Sequence, residues 1–127
     1  MKILFDLTGL YDHITGVERY AMEIAKAFCE SYPEHQYILV FKNQIHKDFI
    51  KICGMENVKP VVIKGNGRLI TGQIKLPICL YKQRADAYLF LAFPEPLLFF
   101  HKNIYTAIHD MAPWEKGNTL KHLSKYY

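Results

Sequence analysis

The dipeptide His109-Asp110 stands directly after the apolar run Ile104-Tyr105-Thr106-Ala107-Ile108. A buried strand of that kind delivers its last side chains to the carboxyl edge of a sheet. A His placed there can donate a hydrogen bond to a hydroxyl or exchange a proton near neutral pH. The same two side chains can equally satisfy each other, or the backbone, at a strand end. A second chemical feature is Thr15-Gly16-Val17-Glu18, which has the pattern of a capping box. The first N–H groups of a helix that opens there have no intrahelical partners, and with the helix dipole they favour a phosphate or carboxylate. Gly16 brings no side chain to obstruct such an anion. Glu18 can occupy one of those donors itself, and an ordinary capped helix is then the alternative. His13 lies in the same loop and is a further candidate for ligand contact.

Other chemistries lack their residues. Gly65-Asn66-Gly67-Arg68-Leu69-Ile70 begins like a dinucleotide fingerprint but has no third glycine, and it follows the wrong strand. No phosphate-binding GxxxxGK[ST] run and no GxSxG elbow occur. Asp6, Asp12, Asp48, Asp86 and Asp110 are isolated, so no Asp-x-Asp pair offers to hold a metal, and none is expected. Cys29, Cys53 and Cys79 are an odd number without a CxxC pair, which argues against a disulfide scaffold and a structural zinc site.

The elements that must position these residues follow from periodicity. Lys2 to Leu7, Tyr37 to Phe41, Val58 to Ile63, Asp86 to Leu91 and Ile104 to Ile108 read as strands, mostly near-continuous apolar runs of the kind buried on both faces. Pro60 places the third at a sheet edge. Val17, Tyr20, Ala21, Ile24, Ala27 and Phe28 recur at helical spacing, which predicts an amphipathic helix to about Ser31, closed by Pro33. Asn43 is expected to cap a second helix through Ile45, Phe49, Ile52 and Cys53, ended by Gly54. Leu69 to Gln83 is helical, with Pro77 kinking or restarting it. Leu120, Leu123 and Tyr127 open a last helix. His35 and His46 are expected to face solvent, and His101 falls in a connection.

Strands alternating with helices predict an α/β chain, a Rossmann-like parallel sheet of about five strands ordered 3-2-1-4-5, with helices on both faces. In such a sheet the ligand crevice lies beyond the carboxyl ends of the strands where their order reverses, here between the first and fourth. Three loops should meet there: Thr8 to Gly16, Ala92 to Pro96 with Pro94 and Glu95, and His109 to Trp114. Topology alone therefore gathers the residues named above.

The chain has 127 residues, half of them hydrophobic and 22% charged, enough for a core and too apolar for a disordered tail. A single domain spans 1–127. The net charge of +4 is mild. No dense basic stripe or aromatic–basic motif calls for nucleic acid, and the excess permits peripheral contact with anionic lipid. No signal peptide or apolar span is visible, so the expected location is cytoplasmic, with peripheral attachment at the inner face of the membrane allowed.

Met1-Lys2-Ile3-Leu4-Phe5-Asp6, Gly16-Val17-Glu18-Arg19-Tyr20, Ala85-Asp86-Ala87-Tyr88 and Thr106-Ala107-Ile108-His109-Asp110-Met111-Ala112-Pro113 together resemble the N-terminal domain of group 1, family 4-like glycosyltransferases. That resemblance implies one half of the two-domain GT-B arrangement, and a sugar moved with retention from a nucleotide-sugar to a glycan or lipid-linked acceptor, without a metal. It implies that Gly16 and Val17 lie beside the donor diphosphate, that His109 contacts the transferred sugar, and that Asp110 follows in the same motif. The family carries a spaced pair of Glu in its C-terminal, donor-binding domain. None of Glu18, Glu23, Glu30, Glu34, Glu56, Glu95 and Glu115 stands in that spacing. The expectation is an incomplete acceptor-side domain, inactive alone, needing a donor domain or partner chain. The competing expectation is a non-catalytic interaction module whose exposed apolar surface, including Leu97-Leu98-Phe99-Phe100, finds a partner or a second copy.

Overall fold

The structure, a computed structural model, describes residues 1–10, 16–65, 70–92 and 96–107. Five parallel strands form one sheet: β1 (Lys2–Asp6), β2 (Gln36–Lys42), β3 (Val58–Ile63), β4 (Ala87–Phe90) and β5 (Ile104–Thr106). Their order is β3-β2-β1-β4-β5, the predicted one, so the chain has a Rossmann-like α/β fold. β1 is central, pairing Ile3 with Tyr37 on one side and with Ala87 on the other. β3 pairs only with β2, which leaves Pro60 on an edge strand where a missing N–H is tolerated.

Alternation along the strands divides the core into two layers. Ile3, Phe5, Tyr37, Leu39 and Phe41 face one layer, where α1 (Gly16–Ser31) lays down Ala21, Met22, Ala25 and Cys29. Leu4, Ile38, Val40, Tyr88 and Phe90 face the other, where Leu76 and Leu80 of α2 (Leu76–Gln83) pack. Burying each such large side chain contributes roughly 1.5–3 kcal/mol. Pro77 restarts the helix, as its missing N–H requires: a wide π turn, Thr71–Lys75, precedes α2, and the Leu76 N–H bonds the Thr71 carbonyl.

Two expectations are corrected. Asn43 caps no α-helix. It stands at φ 66°, and its Oδ1 accepts the Gly65 N–H at 2.9 Å while its own N–H donates to the Ile63 carbonyl at 2.8 Å. It therefore ties the end of β2 to the end of β3. The following segment forms two 3₁₀ turns, Lys47–Phe49 and Ile52–Gly54, because its buried anchors Phe49 and Ile52 repeat at the three-residue period of that helix. His46 is buried rather than solvent-facing. Its Nδ1 accepts the Asp48 N–H at 3.2 Å and its ring meets Phe49 edge-on. His35 is half-buried against Tyr37.

Among the described residues no helix is long and apolar enough to cross a membrane. The predicted last helix lies outside them.

Candidate functional site

The carboxyl end of β1 sits at the reversal of strand order, with β2 on one side and β4 on the other. The chain leaves the sheet there through a turn built by one side chain. Asp6 Oδ1 accepts the Thr8 backbone N–H at 3.0 Å and the Thr8 hydroxyl at 2.6 Å, and the Leu10 N–H returns to the Leu7 carbonyl at 3.2 Å. An Asp bonding the backbone two residues on is a turn former. Asp6 is buried. Burial pushes its carboxyl pKa up, and the two bonds from Thr8 offset that only in part. Its charge also raises the pKa of the Cys79 thiol on α2, for which burial is the larger cause, so Asp6 belongs to the α2 side of the sheet.

On the other side α1 begins. Val17 is half-buried in the same apolar cluster as Leu7 and Leu10 after β1, Leu91 and Ala92 after β4, and Ala107 after β5. The β5 connection is held by the Ala107 N–H on the Phe90 carbonyl at 3.0 Å. The parallel order puts the carboxyl ends of β1, β4 and β5 at one edge of the sheet; most of the three loops expected to meet there lies outside the described residues. Gly16 opens the 16-residue helix in an exposed position, and a Cβ added to it would meet no atom of the described residues within 4 Å. The dipole of a helix this long favours an anion at that end. Glu18 is the acidic residue of that turn.

Of the residues expected to form the site, Gly16 and Val17 are placed at the head of α1. Val17 contributes its side chain to the core, so only its backbone faces outward chemistry. His13, Pro94, Glu95, His109 and Asp110 lie outside the described residues, as does Thr15. Asp6 is the residue that sequence reasoning passed over as merely isolated. The signal for it was a carboxylate ending an apolar strand with a Thr two positions later. Among the described residues no group of three His, Cys, Asp or Glu side chains could hold a metal ion. What the described part of the site offers a ligand is backbone N–H groups and one buried, protonatable carboxyl.

No protein-family model matches this chain, and neither the curated proteins nor the solved structures hold a match to it.

Proposed function

We propose that this chain is the acceptor-side half of a retaining GT-B glycosyltransferase, which moves a sugar from a nucleotide-sugar to a glycan or lipid-linked acceptor. The observation that carries the reading is Gly16, open above the head of a long helix where β1, β4 and β5 end. Backbone N–H groups there suit a diphosphate, the charged part of such a donor. The resemblance supplies the rest. His109 contacts the transferred sugar with Asp110 beside it, and His13, Pro94 and Glu95 belong to the loops that receive the acceptor. Nucleotide and most of the sugar fall to a donor domain or partner chain, and the co-substrate itself is the only small molecule the reaction calls for.

The test is labelled hexose transfer from a panel of nucleoside diphosphate sugars to membrane-extracted acceptors. Residues 1–127 alone are expected to give none. Joined to a donor-binding domain they are expected to give turnover, which His109→Ala lowers about 10²-fold, the usual loss for a positioned donor acting in the transition state. Turnover insensitive to His109 sinks the assignment. Amide shifts in ¹⁵N spectra with added pyrophosphate supply a second check. They should centre on Gly16 to Glu18, and shifts confined to the amino edge of the sheet, near Lys2 and Asp86, contradict the reading. The alternative, a non-catalytic interaction module, draws on one observation, the apolar outer surface around α2. It predicts no transfer in any combination.

A further inference from the structure

The helical run 70–83 covers one sheet face with Leu76, Pro77 and Leu80, yet its opposite side is also apolar. Ile70, Ile74, Ile78 and Tyr81 recur at intervals of four, four and three, and each is about half exposed, with Ile74 at 52%. That spacing draws one stripe along the outer side of the helix. The stripe is widened by a loop clamped to the helix. The Gln73 Oε1 accepts the Leu97 N–H at 2.9 Å, the Tyr81 hydroxyl donates to the Leu98 carbonyl at 3.3 Å and accepts the Phe100 N–H at 2.9 Å, and the Tyr81 ring lies 4.9 Å from that of buried Phe99. These bonds hold Leu97, Leu98 and Phe100 beside the stripe and outward, Phe100 at 74% exposure.

Charge decides what such a surface fits. Lys75, Lys82 and Arg84 stand on or at the end of the run, and Lys102 follows the loop; all are exposed, and Arg84 shares an open depression with Ile78, Tyr81 and Lys82. Among described residues 70–107 the single acid is Asp86, engaged by the Lys2 backbone N–H at the amino edge of the sheet. Apolar groups framed by cations, with no acid on this face among the described residues, match the boundary of an anionic bilayer, where acyl chains meet the stripe and headgroup phosphates meet the cations. A second copy packed through this same face would bring no acid from its described residues. We infer that the face formed by the 70–83 helix and the 96–100 loop docks onto anionic lipid surfaces, with lipid phosphate in the depression between Lys82 and Arg84. This placement is independent of any sugar transfer.

Co-sedimentation with vesicles tests it. The chain is expected to pellet with phosphatidylglycerol–phosphatidylcholine vesicles and not with pure phosphatidylcholine, and the bound fraction should fall as salt rises from about 0.1 M to about 0.5 M. Ile74→Ser with Ile78→Ser and Leu98→Ser is expected to weaken binding about tenfold or more, and Lys82→Glu with Arg84→Glu to do likewise. Glu23→Gln on α1 should leave binding unchanged. Each variant is checked by its far-UV melting curve, and because these side chains are exposed all should stay folded. Failure of the native chain to bind anionic vesicles overturns the inference. So does binding that survives both sets of substitutions, or a dimer in sedimentation equilibrium that the serine substitutions abolish, which would give the face to a second copy.

Discussion

Two helical layers cover the same sheet and treat water in opposite ways. Along α1 the inner positions are Ala21, Met22, Ala25 and Cys29, and the outward ones include Arg19, Glu23 and Glu30. Along the run 70–83 the inner positions are Leu76, Pro77 and Leu80, and the outward ones are Ile70, Ile74, Ile78 and Tyr81. The buried sides obey one rule, that apolar area leaves water. The outer sides differ in chemistry, charged along α1 and largely apolar with flanking cations along the run 70–83. An exposed apolar stripe is the usual mark of a contact surface, and the proposed lipid docking rests on that contrast.

Substitutions can break that contrast, and the largest effects should come from the inner sides. Phe5→Ala in the α1 layer and Leu80→Ala in the α2 layer each remove a fully buried side chain, and urea unfolding should show losses of about 3–5 and 2–5 kcal/mol respectively. Ile78→Ser, on the same helix as Leu80, should stay within about 0.5 kcal/mol. A loss as large as that for Leu80→Ala would mean the outer stripe is already packed.

Asp6 sharpens the comparison through pH. Its folded carboxyl titrates above its unfolded value, so folding favours the protonated form. The associated stability is present below the unfolded pKa and is lost as pH rises through the folded one. Asp6→Asn keeps an acceptor for Thr8 and removes the titration. Its unfolding free energy should run flatter with pH and exceed the native chain's at neutral pH, and an unchanged pH profile would contradict this.

The thiols compare the layers directly. Cys29 is fully buried, and burial first, with Cys53 and Glu30 nearby, pushes its pKa up to about 12. Cys79 and Cys53 are half-buried, with pKa values raised mainly by burial. A disulfide reagent at pH 8 should modify Cys53 and Cys79 slowly and Cys29 only on unfolding, a sequence that peptide mapping reads out.

The smallest effects concern the helix ends. Arg84 ends α2 at φ 49°, a left-handed conformation that glycine adopts without strain. Arg84→Gly should stabilise by about 0.5–1 kcal/mol while weakening vesicle binding. Gly16→Ala meets no atom of the described residues within 4 Å and should stabilise by about 0.4–1 kcal/mol. A destabilising Gly16→Ala would show that the open space at the head of α1 is not as described.

The most legible elements were those in which local and tertiary demands agree. α1 was readable to within a residue because its apolar period, its capping pattern and Pro33 all point the same way. Strand order was readable because alternating strands and helices leave few right-handed arrangements. The segment 44–56 was misread because Phe49 and Ile52 fit both an α and a 3₁₀ period, and the choice rests on Asn43 reaching Gly65 across the sheet edge. Asp6 was passed over because a carboxylate's role depends on burial, which its neighbours in sequence do not state. Of the expected site, Gly16 and Val17 alone fall among the described residues.

The sequence by itself determined the strands, the helix that opens at Gly16 and the parallel order of the sheet, because periodicity and chain handedness act locally. Only the tertiary structure decided which side of the 70–83 helix the core uses. Both sides of that helix are apolar, so periodicity cannot choose between them. The choice belongs to the sheet, whose Leu4, Ile38, Val40, Tyr88 and Phe90 take up Leu76 and Leu80 and leave the isoleucines outside.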